Sequence, residues 1–353
     1  MTKTKNNKKE IIFCFLCFII ITIVTFTILE IILRILGIGY SCAPLESDPI
    51  LHHSHPKNYV YMFDWPGSEC TNHLVKYDSD GLPVNTYETQ NITITNAKYR
   101  VAILGDSFAE GTYISYNTSF AGRLKEQTKG ISIVKNYGTS SYCPILYLLQ
   151  WKYIVKSFHP THVFLLLYSN DVGDDTRYTK KAIFREGDVV AVPGASNDFI
   201  TKTLRKSYVS RFFRNLYLKL NYIFTNNNAN KVVTGKYIEE SPNISQLTSK
   251  YLLQLAKEVK LSGAKLVISA VPSKYCVQSY EPNYCKLEFS NKVKQWALVN
   301  NIEFLDLVPV FQRASKTEKL FYKNDFHFNE KGHFLVYKSM IKLYPEILTV
   351  RRL

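Results

Sequence analysis

The chain has 353 residues, of which 46% are hydrophobic and 21% are charged. These are the values of an ordinary globular protein, so the composition excludes a mainly disordered chain and a protein with many membrane spans. Lysine and arginine outnumber the acidic residues and give a formal net charge of +15. The length predicts one compact domain of about 250 to 300 residues with smaller appendages.

An uncharged apolar run stands near the start of the chain, from Ile11 to Leu29. A helix of about 20 such residues crosses a hydrocarbon core about 30 Å thick. A cleaved signal peptide would instead have an apolar region of about 7 to 15 residues that ends at small side chains. Here Glu30 and three further apolar residues follow. We therefore predict one uncleaved transmembrane anchor, through which the protein contacts the membrane, at residues 11–33.

Four lysines precede this anchor, within residues 1–10: Lys3, Lys5, Lys8 and Lys9. Positively charged flanks stay on the cytoplasmic side of a membrane. We therefore predict a cytoplasmic N-terminus and a single pass through the inner or cytoplasmic membrane, with the rest of the chain in the periplasm or the extracellular space. On that side of the membrane we expect no nucleic-acid partner, despite the basic charge.

The cysteines in the exported part of the chain are expected to be structural, because oxidising conditions there allow disulfides. These cysteines are Cys42, Cys70, Cys143, Cys276 and Cys285. The short spacing makes Cys276 and Cys285 plausible partners, and Cys42 could pair with Cys70, which leaves Cys143 over. Spacing alone does not decide the connectivity. No CxxC pair outside the anchor and no HExxH motif occurs, so we expect no zinc site.

Beyond the anchor, residues 34–97 show no sustained periodicity and predict a loop-rich neck with an irregular β extension. From residue 98 to residue 345, short apolar runs alternate with helical segments, and a tail at 346–353 follows. The predicted strands are 100–104, 131–136, 162–168, 265–271 and 302–307, and the predicted helices lie near 118–129, 144–157, 245–262, 286–300 and 329–343.

Buried strands that alternate with helices specify a parallel sheet with helices on both of its faces. The expected fold class is therefore α/β, a flavodoxin-like three-layer α/β/α sandwich with about five parallel strands, preceded by one N-terminal transmembrane helix.

An insertion at residues 172–244 is too long for a simple connection between strand and helix. Its middle, residues 199–238, contains eight basic and no acidic residues, and its apolar residues recur at helical spacing. This pattern predicts a basic amphipathic helix. It could be a lid or a patch that contacts anionic lipid headgroups or an acidic glycan, or it could be an ordinary packed helix with a solvated basic face.

Short polar motifs follow the first three predicted strands. Ser107 lies in GDSF, Gly138 in NYG and Asn170 in SND. Ligands bind at the carboxyl ends of parallel strands, and adjacent strands are about 4.8 Å apart, so we expect these residues to converge. Each motif alone is also typical of a simple turn or helix cap.

A histidine near the carboxyl terminus could supply the base that a serine nucleophile needs. His327 lies in NDFHFNEKGH, and Asp325 on the same loop could accept the other imidazole N–H. Asn324 and His333 are the alternatives for these two roles. His333 lies inside the predicted last helix, where packing or capping is the more natural role.

The ordered motifs GDSF, NYG, SND and DFHFNEKGH resemble those of the SGNH (GDSL) hydrolase superfamily. The resemblance covers residues 98–345, and the anchor and neck are similar in layout to its single-pass, membrane-anchored bacterial members. It implies a catalytic triad with Ser107 as nucleophile, His327 as base and Asp325 as its orienting carboxylate. It also implies an oxyanion hole formed by the N–H groups of Ser107 and Gly138 and the side chain of Asn170.

Two departures from the superfamily pattern stand out. Tyr168 replaces the glycine of the usual Gly-x-Asn-Asp motif, which could reshape the pocket for the acyl group. The superfamily often spaces its last pair as Asp-x-x-His, which would select Asn324, whereas this chain offers Asp-x-His. We favour Asp325, because a carboxylate stabilises an imidazolium better than an amide does.

The resemblance implies a membrane-anchored serine esterase or O-acyltransferase that acts outside the cytoplasm. The double displacement that it implies needs no metal and no organic cofactor. The expected substrates are acyl esters, above all acetyl esters, of an envelope carbohydrate. One alternative is a lipid esterase of the lysophospholipase or thioesterase kind, favoured if the insertion lies on the bilayer. Another is a non-catalytic envelope protein that binds a glycan, for which no reaction at Ser107 is expected.

Overall fold

The computed structural model describes the greater part of the chain. The described residues are 3–36, 45–63, 69, 73–86, 97–128, 131–194, 207–214, 216, 217, 220, 243–279, 289–323 and 325–348. Its strands are β1 (Glu46–Asp48), β2 (His52–Ser54), β3 (Tyr59–Phe63), β4 (His73–Tyr77), β5 (Pro83–Val84), β6 (Tyr99–Gly105), β7 (Ser132–Asn136), β8 (His162–Leu167), β9 (Ile183–Arg185), β10 (Asp188–Ala191), β11 (Lys265–Ala270) and β12 (Glu303–Leu305). Its helices are α1 (Lys3–Ile35), α2 (Ser107–Glu110), α3 (Phe120–Gln127), α4 (Pro144–Tyr153), α5 (Asp171–Thr179), α6 (Gln246–Leu261), α7 (Lys274–Ser279), α8 (Phe289–Val299), α9 (Val308–Ala314) and α10 (Glu330–Leu343).

The N-terminal helix α1 contains a segment, Lys9–Ile35, that is long and apolar enough to cross a membrane. The side chains of this segment are almost all exposed, and Leu33 is the buried exception among those described. Length and composition of this kind fit a membrane anchor and also a signal sequence near the N-terminus.

The central sheet contains five parallel strands in the spatial order β12, β11, β8, β6, β7. In chain order this is the flavodoxin-like arrangement 2-1-3-4-5. The predicted fold class is therefore confirmed, and each of the five predicted strands lies within two residues of its observed bounds. The switch point of this topology lies between the carboxyl ends of β6 and β8, where connections leave toward opposite faces and a crevice forms.

Both faces of the sheet are covered, because every residue of β8 is buried and successive side chains point to opposite sides. Val163, Leu165 and Leu167 pack with apolar residues of α4 and α6 on one face. Phe164 and Leu166 pack with apolar residues of α3 and α10 on the other. A strand that is buried on both faces has a continuous apolar sequence, so the run HVFLLL predicts β8 clearly.

The described residues of the neck form small antiparallel sheets. β1 pairs with β2, and β3, β4 and β5 form a three-stranded sheet, which we call the neck sheet. The inner side of the neck sheet buries Tyr61, Phe63 and Tyr77, and Tyr113, which lies in the loop after α2, packs against this cluster. The neck sheet therefore shares a small core with a loop that follows β6.

Cys276 is disulfide-bonded, and its partner lies outside the described residues, as do Cys42, Cys70 and Cys285. Cys143 is a buried free thiol at the start of α4, in agreement with the prediction that it would be left over.

A buried carboxylate, Glu110 at the end of α2, joins the neck to the sheet edge. It accepts hydrogen bonds from the backbone N–H and the hydroxyl of Ser140, at 2.7 and 2.6 Å. Nε2 of His55 lies 3.6 Å from its other oxygen, and His55 stacks on Tyr77. Burial raises the pKa of Glu110, but His55 and Ser140 outweigh this effect, so the pKa lies below its ordinary value.

We expect Glu110→Ala to lower the free energy of unfolding by about 3 kcal/mol, because it leaves Ser140 and His55 buried without their acceptor. Glu110→Gln keeps the shape and should cost less. The matched control is Glu126→Ala, which removes an exposed carboxylate from α3 and should change stability by less than about 0.5 kcal/mol. Denaturant unfolding in detergent measures the difference, and equal unfolding midpoints for Glu110→Ala and wild type would contradict the expectation.

Candidate active site

The proposed nucleophile, Ser107, is the first residue of α2, and one residue, Asp106, separates it from the end of β6. The turn between them requires glycine at position 105, where φ is +149° and an added Cβ would lie 2.7 Å from the carbonyl oxygen of Leu166. The side chain of Asp106 caps the short helix by accepting the Phe108 N–H at 3.0 Å. The chain thus places the Ser107 hydroxyl at the switch point of the sheet.

Ser107, His327 and Asp325 form a continuous chain of hydrogen bonds. Oγ of Ser107 lies 2.8 Å from Nε2 of His327, and Nδ1 of His327 lies 2.6 Å from Oδ1 of Asp325. The same carboxylate oxygen accepts the His327 backbone N–H at 2.7 Å, which fixes the loop as well as the ring.

The ionisation of Asp325 assigns the direction of these bonds. Burial raises its pKa, but the hydrogen bonds and charge of His327, with the charge of Lys274, outweigh burial and hold the pKa below its ordinary value. An ionised carboxylate only accepts hydrogen bonds, so Nδ1 of His327 carries the proton and Nε2 is left to accept the proton of the Ser107 hydroxyl.

Aromatic rings surround the imidazole of His327, which is 6% exposed. The rings of Phe108 and Phe326 lie 4.6 and 4.7 Å from it, and Tyr113 approaches edge-on at 5.0 Å. Tyr168 lies 4.6 Å from Phe108 and stacks on Phe326 at 5.6 Å. We call Phe108, Tyr168 and Phe326 the aromatic wall. Tyr168, which departs from the family's glycine, is therefore a contact residue of this wall.

The remaining residues predicted for the oxyanion hole lie at the same sheet edge but have other partners in this structure. Gly138 packs on α2 so closely that an added Cβ would lie 2.3 Å from the Glu110 nitrogen. Its N–H donates to the side chain of Asn136 at 3.0 Å. The amide of Asn170 is exposed and donates to Asp174 at 3.1 Å. The structure therefore brings Ser107, His327 and Asp325 into contact, and it gives the Gly138 N–H and the Asn170 amide acceptors within the protein.

A model of the GDSL-like lipase/acylhydrolase family matches residues 103–335, which is more than half of the chain. The chain belongs to the GDSL-like lipase/acylhydrolase family. It is therefore a serine ester hydrolase, and the predicted family resemblance is confirmed. No curated protein matches the chain.

Several solved structures resemble this GDSL-family hydrolase. A catalytic mutant of Axe2, an acetylxylan esterase from Geobacillus stearothermophilus, is 14% identical with a TM-score of 0.42, over 73% of this chain and 99% of that one. The psychrotrophic esterase EstA from Pseudoalteromonas sp. is 14% identical with a TM-score of 0.38, over 71% and 99% of the two chains. A lipolytic protein of the G-D-S-L family from Veillonella parvula DSM 2008 is 13% identical with a TM-score of 0.39, over 70% and 98%. Similarity at this level does not identify a substrate.

Buried acids of the GDSL-family hydrolase lie beside Ser107 and in α5. Burial raises the pKa of Asp106 to about 7, that of Asp175 to about 6 and that of Asp171 well above its ordinary value. Asp171 accepts from the hydroxyl of Tyr147 and from the Tyr168 N–H, so it fixes the turn that carries Asn170. In the described part of the chain, no group of three or more His, Cys, Asp or Glu side chains could hold a metal ion.

The sequence offers His333 as an alternative base and Asn324 as an alternative partner of the base, and the structure describes only His333. His333 is buried in α10, accepts the Phe120 N–H at 3.4 Å, and has its pKa lowered to about 3, mainly by burial. It is a neutral packing residue. Asn324 lies outside the described residues.

Lys274 is a contact residue of the triad loop that the sequence motifs do not reveal. It stands at the start of α7, just beyond β11, and donates to the carbonyl oxygens of Tyr322, Lys323 and Asp325 at 2.7, 2.8 and 3.1 Å. Its position after the fourth strand, at the sheet edge where Ser107 lies, was the available signal. Lys274 thereby positions the loop that carries the His327–Asp325 pair.

We expect Lys274→Met to lower kcat by roughly 10- to 100-fold, because it frees the loop that positions the base. Loss of the ammonium charge also raises the pKa of Asp325, so the acidic limb of the rate profile should move to higher pH. Lys265→Met, at the opposite end of the same strand, is the matched control and should leave both quantities unchanged. A rate loss without a shift of the acidic limb would leave Lys274 with a purely structural role.

Proposed function

We propose that the protein is a membrane-anchored, extracytoplasmic esterase that uses Ser107, His327 and Asp325 as a catalytic triad. The observation that supports this proposal most directly is the unbroken chain of hydrogen bonds from the serine hydroxyl to the carboxylate, at 2.8 and 2.6 Å. This geometry is what a serine nucleophile needs, because its hydroxyl is weak until a neighbouring base takes its proton.

In the first half of the proposed reaction, Oγ of Ser107 attacks the ester carbonyl carbon as its proton passes to Nε2 of His327. The tetrahedral intermediate then expels the alcohol, which takes the proton from His327, and an acyl-enzyme remains. Asp325 keeps its negative charge throughout and stabilises the imidazolium. In the second half, His327 removes a proton from water, which attacks the acyl-enzyme, and Ser107 leaves with that proton as the free carboxylic acid forms.

The negative oxygen of the intermediate requires donors at the sheet edge. In the proposed hole the Ser107 N–H supplies one, since among the described residues it has no acceptor within the protein. Gly138 and Asn170 supply the others once substrate competes with Asn136 and Asp174 for them. Removal of one such donor costs roughly 2.7 to 4 kcal/mol of transition-state stabilisation in comparable hydrolases.

The proposed substrates are short acyl esters, above all acetyl esters, of an envelope carbohydrate. Tyr168 supports a short acyl group, because its ring occupies space beside Phe108 that the family's usual glycine would leave open. Phe326 is 48% exposed beside His327 and offers an apolar surface to a sugar ring. Transfer of the acyl group to a sugar hydroxyl uses the same acyl-enzyme, with the hydroxyl in place of water.

The anchored location is part of the proposal. The run Ile11–Leu29 matches the thickness of a hydrocarbon core, and the basic residues before it favour a cytoplasmic N-terminus. The exposed apolar side chains of α1 have no protein partner along most of the described helix, which supports burial in lipid. A lipid esterase is the second candidate function, favoured by exposed apolar side chains in the insertion.

We expect Ser107→Ala to lower kcat for p-nitrophenyl acetate by at least about 10⁴-fold and to abolish labelling by a serine-directed fluorophosphonate. Asp325→Ala should lose more activity than Asn324→Ala, because the carboxylate stabilises the imidazolium that forms. If wild type neither cleaves the ester nor reacts with the fluorophosphonate, the catalytic proposal fails. A larger loss in Asn324→Ala would reassign the partner of His327.

We expect Tyr168→Gly to raise kcat/KM for octanoyl esters by at least about tenfold relative to acetyl esters, because removal of the ring opens the acyl side of the site. Tyr168→Phe keeps the ring and is the matched control, with the acetyl preference retained. Rates on a series of p-nitrophenyl esters measure the ratio. A wild type that already prefers octanoyl esters would favour the lipid esterase instead.

A further inference from the structure

The insertion contains a helix whose first turn is bound to the N-terminal helix α1. We call its described helical residues, 208–214, 216, 217 and 220, the insertion helix. The carboxylate of Glu30 accepts the backbone N–H groups of Tyr208 and Val209 at 3.0 and 2.9 Å and the hydroxyl of Ser207 at 2.8 Å. The first N–H groups of a helix have no partner inside the helix, and a negative charge there is favourable.

Further contacts tie the insertion helix to its surroundings. Arg34 forms an ion pair with Glu30 at 2.6 Å and lies 4.8 Å above the ring of Tyr208. On the other side, the guanidinium of Arg211 lies 5.1 Å from the same ring and 5.2 Å from that of Tyr59 in β3. Arg211 is only 4% exposed. The first turns of the insertion helix are therefore packed between α1 and the neck sheet.

The position of Glu30 along α1 sets the depth in the proposed membrane at which the insertion helix begins. The uncharged run Ile11–Leu29 has 19 residues, and at about 1.5 Å per residue it spans roughly the thickness of a hydrocarbon core. Glu30 then lies at the boundary between acyl chains and headgroups, where its hydrogen bonds compensate for the cost of a charge near lipid. The insertion helix starts at the same boundary.

Beyond its first turn the insertion helix exposes an apolar stripe. Phe213, Leu216, Tyr217 and Leu220 are 49%, 41%, 66% and 45% exposed. Their spacing of three and four residues places them on one face of a helix. Val209 near the helix start is buried, so ordinary packing accounts for the first turn but not for the stripe. Soluble surfaces rarely leave such a cluster in water.

We propose that the insertion helix is an interfacial membrane helix, which lies on the outer surface of the bilayer that holds α1 and buries this stripe among the lipids. Interfacial helices bury their apolar faces about 5 to 10 Å into the boundary between headgroups and acyl chains, the level at which Glu30 holds this helix. The occupant of the stripe is therefore lipid, supplied by the membrane of the chain's own anchor. This inference rests on the proposed anchoring of α1 and is independent of the ester that the site cleaves.

The test uses the full chain in vesicles whose lipids carry bromine on their acyl chains, which quenches nearby tryptophan. In Tyr217→Trp the added fluorophore should lose roughly half of its emission, since its position lies at the acyl boundary. Tyr153→Trp replaces an exposed tyrosine at the end of α4, and its added emission should be unaffected. Both variants also contain the tryptophans of the wild type, so the emission of these residues cancels when the two variants are compared.

A Glu30→Ala exchange in the Tyr217→Trp background should reduce the quenching, because it releases the first turn of the insertion helix. Vesicle flotation tests the anchor separately, and a chain that does not float overturns the anchor and this inference together. A chain that floats with Tyr217→Trp unquenched, or quenched no more than Tyr153→Trp, overturns the interfacial helix alone. Hydrolysis of p-nitrophenyl acetate in the same vesicles reports independently on the proposed esterase.

Discussion

The hydrogen bond between Ser107 and His327 joins residues that are 220 positions apart in the chain, so it ties the two ends of the hydrolase domain to one geometry. Ser107 is held by the glycine turn at the end of β6, and His327 precedes α10. The two supports meet on one face of the sheet, where α3, which follows Ser107 in the chain, packs with α10 in a common apolar cluster. The length of one hydrogen bond in the site therefore depends on the packing of that whole face.

The neck sheet contributes to the same constraint. Its residue Phe63 packs edge-on against Tyr113 at 5.5 Å, and Tyr113 in turn packs against His327 at 5.0 Å. The buried carboxylate of Glu110 links the neck to the loop after β7 through Ser140. The neck sheet, which lies outside the parallel sheet, thus packs against Tyr113, and Tyr113 contacts the imidazole of His327. Because the neck sheet and the loop that carries Tyr113 share buried contacts, the neck and the hydrolase domain should unfold together.

The sequence predicts the sheet well for a physical reason. Strands buried on both faces are continuous apolar runs, and their order along the chain, with helices between them, leaves few topologies. Ser107, His327 and Asp325 could be predicted because they follow strand ends or lie on one short loop. The contacts of Lys274 with three backbone carbonyls carry no motif, and only its position after the fourth strand pointed to the site. The pairing of His55 with Glu110 could not be predicted either.

The geometry of the residues predicted for the oxyanion hole could not be predicted from the sequence for a related reason. The NYG motif places a glycine close to α2, but only the structure shows that the Asn136 side chain accepts its N–H. A turn of this kind is decided by a side-chain rotamer, which hydrophobic periodicity does not encode. The exposed stripe of the insertion helix is a different case. Its helical periodicity can be read from the sequence, but whether the stripe faces protein or solvent depends on contacts with α1 and the neck sheet.

Together, the contacts of α1 and the neck sheet form a continuous path from the proposed membrane boundary to His327. Glu30 binds the insertion helix, and Arg211 of that helix lies over the ring of Tyr59. The neck sheet that begins with Tyr59 packs against Tyr113, which in turn contacts His327. Each step is a packed or hydrogen-bonded contact and not a flexible linker. On the proposed geometry the site would keep a fixed orientation to the membrane, so a substrate attached to the same envelope would lose less rotational freedom on binding than one free in solution.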